Sequence, residues 1–139
     1  MNPLIGQLLS LGLKLLPFLR WKRKRCILIV EDDPRDAELT AAKIARLGWQ
    51  CDIVTSAEGA YPLLLSRAHS VVLLDIRLPY ESGVHLASRI VKTAPWAHVV
   101  LMPGIAEDLA SIPCSVYFGL IAKPITEESL KHVFEKPRP

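Results

Sequence analysis

Carboxylates and one lysine stand at the ends of three apolar runs. Glu31, Asp32 and Asp33 follow Cys26-Ile27-Leu28-Ile29-Val30, Asp75 follows Val71-Val72-Leu73-Leu74, and Lys123-Pro124 follows Leu120-Ile121-Ala122. Hard oxygen ligands suit a divalent cation, and an ammonium suits a phosphoryl oxygen. Each acid alone has an ordinary reading, since loop carboxylates cap helices or stay hydrated. Their placement argues for chemistry: ligands of open α/β sheets bind outside the carboxyl ends of the strands, where residues remote in sequence meet.

The elements that must position them alternate. Cys26 to Val30, Cys51 to Thr55, Val71 to Leu74, Val99 to Met102 and Leu120 to Ala122 read as five strands. A first helix is predicted from Pro34 to Leu47, with Ala37, Ala41, Ile44 and Ala45 facing inward and Gly48 ending it. A second runs from Glu58 to Ala68, and a third from Val84 to Thr93 presents Leu86, Ala87, Ile90 and Val91. In the fourth connection, Gly104 to Phe118, only Glu107 to Ile112 has helical character, because Pro113 interrupts it. The last helix begins near Thr126, its N-cap, with Glu127 and Glu128 in the first turn. Short apolar strands alternating with helices predict an α/β fold: a doubly wound five-stranded parallel sheet, covered on both faces.

The 139 residues suffice for one domain with a real core. The net charge of +3 is unevenly spread, because residues 1 to 25 carry six basic side chains and no acid while the remainder is net acidic. A nucleic-acid-binding role for the folded part is therefore poorly supported. Residues 1 to 25 predict an extra amphipathic helix followed by a basic cluster, Arg20 to Arg25, around Trp21. The apolar stretch is short for a membrane span and lacks the layout of a cleavable signal peptide. It fits attachment to an anionic membrane surface, packing on a protein partner, a second copy of the chain included, or packing on its own domain. Cys26, Cys51 and Cys114 read as buried free thiols, which favours a reducing cytoplasm. His69, His85, His98 and His132 share no ligand spacing and read as surface or packing residues.

The chain resembles the receiver domain of bacterial two-component response regulators, the CheY-like family. The resemblance covers residues 26 to 136 and rests on Ile27-Leu28-Ile29-Val30-Glu31-Asp32-Asp33, on Val71 to Pro79 with Gly83, and on Lys123-Pro124. It implies a flavodoxin-like fold in which Asp75 accepts a phosphoryl group from a sensor histidine kinase or phosphotransfer protein. It implies a Mg²⁺ cofactor held by Glu31, Asp32, Asp75 and the backbone carbonyl of Arg77, with Asp33 the alternative second acid. Lys123 would pair with Asp75 and then with a phosphoryl oxygen, Gly104 would offer its backbone N–H, and Lys123-Pro124 would be a cis bond. Pro79 and Gly83 would shape the loop after Asp75.

Two positions depart from the family pattern. Pro103 stands where the family has a Ser or Thr hydroxyl, and Leu120 where it has an aromatic switch residue. The expectation is a phosphorylatable receiver with an atypical output, not an enzyme beyond its own phosphoryl transfer and dephosphorylation. With residues 137 to 139 a short tail, it is read as stand-alone, without a DNA-binding domain, and signalling through protein contacts to an unidentified target. The alternative is a pseudo-receiver, an interaction module whose output ignores phosphorylation. A dehalogenase-type enzyme also uses an aspartate nucleophile, but it would need a second acid where Arg77 stands.

Overall fold

The computed structural model describes residues 6–7, 26–66, 68–104 and 109–135. Strands β1 (Cys26–Val30), β2 (Gln50–Val54), β3 (Val71–Asp75), β4 (His98–Met102) and β5 (Gly119–Leu120) form one parallel sheet in the order β2-β1-β3-β4-β5. Helices α1 (Pro34–Arg46), α2 (Ala57–Leu65), α3 (Gly83–Thr93) and α4 (Glu127–Phe134) cover it. This is the doubly wound fold that the alternation predicts. The predicted amphipathic segment 1 to 25 lies outside the described residues, apart from residues 6 and 7.

Alternate residues of the central strands feed two cores. Leu28, Val30, Val72, Leu74, Val99 and Leu101 pack beneath α2 and α3. Ile27, Ile29, Val71, Leu73, Val100 and Met102 face α1 and α4. The buried apolar run of β3 thus serves both layers, as a parallel strand between two helical layers must. Strand β2 differs: it is the sheet edge, and Gln50, Asp52 and Ile53 are exposed.

Local sequence fixes the ends. Asp33 caps α1, accepting from the N–H groups of Arg35 at 2.9 Å and Asp36 at 3.2 Å. Thr126 and Ser129 form a reciprocal capping box on α4. Gly83 approaches the end of β3 so closely that a Cβ there would lie 2.0 Å from the Asp75 carbonyl oxygen. Lys123-Pro124 is cis, as the family pattern implies.

Several expectations need correction. On α1 the buried residues are Ala37, Thr40 and Ile44, while Ala45 is exposed, because the inward stripe follows the i, i+3, i+4 spacing rather than the alanines. On α3, Val91 is exposed. Helix α2 ends at Leu65, three residues earlier than predicted. The described part of the fourth connection holds two 3₁₀ turns, Leu109–Ser111 and Cys114–Val116, separated by Pro113. Strand β5 pairs through Gly119 and Leu120, one residue earlier than predicted. The thiols are free but not buried: Cys114 is exposed and Cys26 and Cys51 are half-buried, since they lie at the sheet margin.

Candidate functional site

The acids and the lysine converge at the carboxyl end of the sheet. Strand β1 delivers Glu31 and the adjacent β3 delivers Asp75. Both are buried, at 2% and 6% exposure. Lys123 arrives from the loop after β5, and its Nζ donates to Glu31 Oε2 at 2.9 Å and to Asp75 Oδ2 at 3.1 Å. Its backbone N–H donates to the Pro103 carbonyl at 2.9 Å, which ties the loop after β5 to the end of β4. Asp32 is exposed, yet carboxylate oxygens of Glu31, Asp32 and Asp75 lie within 4.8 Å of one another.

Asp33 does not join this group, since its carboxylate is spent on the α1 N-terminus. Glu31 Oε1 instead accepts from the Asp33 backbone N–H at 3.2 Å, and Asp75 Oδ1 accepts from the Arg77 backbone N–H at 3.0 Å. The two buried carboxylates are thereby held in fixed rotamers. Asp36, which the sequence pattern does not single out, also approaches Lys123, at 3.9 Å. Its signal was its place in the first turn of a helix that leaves the acidic loop.

The electrostatics follow from this geometry. Burial, opposed by the Lys123 hydrogen bond and reinforced by the neighbouring Asp75, pushes the Glu31 carboxyl up to about 7. Burial works against the Lys123 ammonium, but its bonds to Glu31 and Asp75 outweigh that effect and raise its pKa. The acids exceed the positive charge available to them, which favours a further cation. Three carboxylates with hard oxygen donors, one of them exposed to water, suit Mg²⁺, which retains part of its hydration shell.

Above the acids lies a cleft of about 560 Å³, lined by Asp36, Lys43, Arg77 and Gly104 as well as by the central residues. Lys43 is held by donating to the Ile125 carbonyl at 2.5 Å. Pro103 is buried at the end of β4, and the half-buried Leu120 packs on the core beneath α2 and α3. Gly104 therefore borders the cleft, whereas Leu120 belongs to the side of the sheet away from α1 and α4.

The model of the response regulator receiver domain family matches residues 27–135. Among curated proteins, the sensor histidine kinase RcsC of Salmonella typhi is 30% identical over 107 residues, which are 76% of this chain and 11% of that protein. The transcriptional regulatory protein BasR of Escherichia coli is 41% identical over 64 residues, covering 46% of this chain and 29% of the regulator. The chain thus spans less than a third of the length of these curated relatives. Among solved structures, a CheY-like response regulator receiver domain from Methylobacillus flagellatus superposes with a TM-score of 0.73 at 29% identity, covering 81% of this chain and 97% of that one.

Proposed function

The chain belongs to the response regulator receiver domain family, and on that premise we propose that it accepts a phosphoryl group on Asp75 from a histidine kinase or phosphotransfer protein. The observation that carries this reading is the buried Asp75 carboxylate, held 3.1 Å from Lys123 Nζ beside Glu31 and Asp32. Asp75 Oδ attacks the phosphorus of a phosphohistidine. The P–N bond breaks, a P–O bond forms, and the imidazole leaves with its proton. Catalysis of this step is mostly positioning and charge neutralisation. Mg²⁺, held by Glu31, Asp32, Asp75 and the Arg77 carbonyl, supplies the main counter-charge when bound. Lys123 moves from the carboxylate to a phosphoryl oxygen, and the Gly104 N–H donates to another.

Output is proposed to be atypical. Pro103 has no hydroxyl to turn toward the phosphoryl group and no N–H, and Leu120 has no aromatic ring to swing between exposed and buried positions. Signalling then runs through protein contacts with only weak displacement of the segment between β4 and β5. Among the described residues, no helix is long and apolar enough to cross a membrane. A cytoplasmic location, with residues 1 to 25 meeting lipid or protein, is part of the same proposal.

The test is intact-mass spectrometry after incubation with Mg²⁺ and acetyl phosphate. A labile phosphoryl adduct is expected in the native chain and none in Asp75→Ala. No adduct, under conditions that modify an ordinary receiver, would favour the pseudo-receiver reading.

A further inference from the structure

A second cluster of metal-binding side chains occupies the opposite end of the sheet. Cys26 opens β1, Asp52 lies at the middle of the neighbouring β2, and His69 sits two residues before β3 on the other side of β1, so the strand order brings the three together. The register pairs Leu28 with Asp52, which places Cys26 and Asp52 on the same face as Leu28, beneath α2. The ligand atoms of all three lie within 4.8 Å of one another. Cys26 Sγ is 3.9 Å from Asp52 Oδ2, and His69 Nε2 is 2.7 Å from the same oxygen. Glu31 lies five positions along the chain from Cys26, a span of about 16 Å in an extended strand. The two sites are therefore separate.

The state of His69 is the instructive feature. The ring is buried, at 2% exposure, and both nitrogens face acceptors: Nδ1 lies 3.4 Å from the Leu63 carbonyl oxygen and Nε2 faces the Asp52 carboxylate. A neutral imidazole has one N–H and cannot satisfy both. In one tautomer Nε2–H donates to Asp52; in the other Nδ1–H is directed at Leu63, and the Nε2 lone pair beside the Asp52 carboxylate is then placed to hold a cation. An imidazole whose far N–H donates to a backbone carbonyl is the usual arrangement of a histidine ligand.

We propose that Cys26 Sγ, Asp52 Oδ2 and His69 Nε2 form a site for Zn²⁺ or a similar borderline-soft divalent cation. A tetrahedral zinc ion holds such ligand atoms about 3.3–3.7 Å apart. The observed 2.7 and 3.9 Å separations reach that range if the Asp52 side chain, which is 57% exposed, shifts by less than about 1 Å. Imidazole, thiolate and a single carboxylate favour zinc over magnesium. Burial and the neighbouring Asp52 carboxylate raise the Cys26 thiol pKa in the metal-free protein. Binding therefore transfers the thiol proton to solvent as the S–Zn bond forms, and the cation relieves the repulsion between thiolate and carboxylate. Water completes the coordination on the exposed side of Asp52.

The test is a Co²⁺ titration of the full, reduced chain followed by Zn²⁺ competition. A thiolate-to-cobalt absorption band, saturating at one equivalent and displaced by Zn²⁺, is expected in the native chain. It should persist in Asp75→Asn, which disarms the acidic cleft, and disappear in Cys26→Ser with at least about a tenfold loss of Zn²⁺ affinity. His69→Gln should weaken binding similarly; should that variant fail to fold, Asp52→Asn at the exposed position takes its place. No thiolate band, or a band that survives Cys26→Ser and vanishes in Cys51→Ser or Cys114→Ser, would overturn the assignment.

Discussion

Lys123 shares one positive charge between two buried carboxylates, and the consequence falls on Glu31. An unfolded glutamate titrates near 4.3, whereas burial and Asp75 hold the folded Glu31 carboxyl at about 7. The folded state therefore binds this proton more tightly. The associated stability is complete below the unfolded pKa and is lost as pH rises to the folded one. Without divalent cations, the urea midpoint should fall between roughly pH 4.5 and 7, and Glu31→Gln should remove most of that slope. A native profile without the slope would mean that Glu31 carries no such penalty. Asp33 answers to a different rule. Asp33→Ala deprives α1 of its cap and should cost about 1 kcal/mol in thermal unfolding, with Mg²⁺ affinity nearly unchanged. A large loss of Mg²⁺ affinity would instead place Asp33 among the ligands.

At the scale of elements, the site depends on a close approach after β3. The Gly83 N–H donates to the Ile76 carbonyl at 2.7 Å, and a Cβ at this position would collide with the backbone of Asp75 and Ile76. Backbone cannot yield as a flexible side chain can. Gly83→Ala should destabilise the fold by about 2 kcal/mol or more and lower the yield of phosphorylated protein, measured by denaturation and intact mass; a neutral effect would show that α3 is free to shift. The strands and most helix ends were legible because local rules agree: apolar runs end at acids, Pro34 opens α1, and Thr126 caps α4. Less legible were features set by neighbours. That β2 is an edge, and so tolerates exposed Gln50 and Asp52, depends on strand order. The 3₁₀ turns around Pro113 follow no clear period. Cys26, Asp52 and His69 are separated by intervals with no ligand motif, and only the β2-β1-β3 adjacency unites them.

Across the whole molecule, the sheet gathers the acids and the lysine at one end, and the proposal sets that chemistry apart from its transmission. Glu31, Asp32, Asp75 and Lys123 are gathered at the carboxyl end, and the choice of Glu31 over Asp33 follows from where β1 stops. In the proposed function, the positions that would sense a phosphate are Pro103 and Leu120, which carry neither a hydroxyl nor an aromatic ring. The proposed function treats chemistry and signalling as separable, and a single experiment examines both. Amide exchange across residues 109 to 122, read by mass spectrometry with and without Mg²⁺ and acetyl phosphate, follows the adduct and the response in the same sample. The account predicts phosphorylation at Asp75 with little change in exchange over this segment. No adduct, or an adduct accompanied by strong new protection or deprotection there, would contradict it.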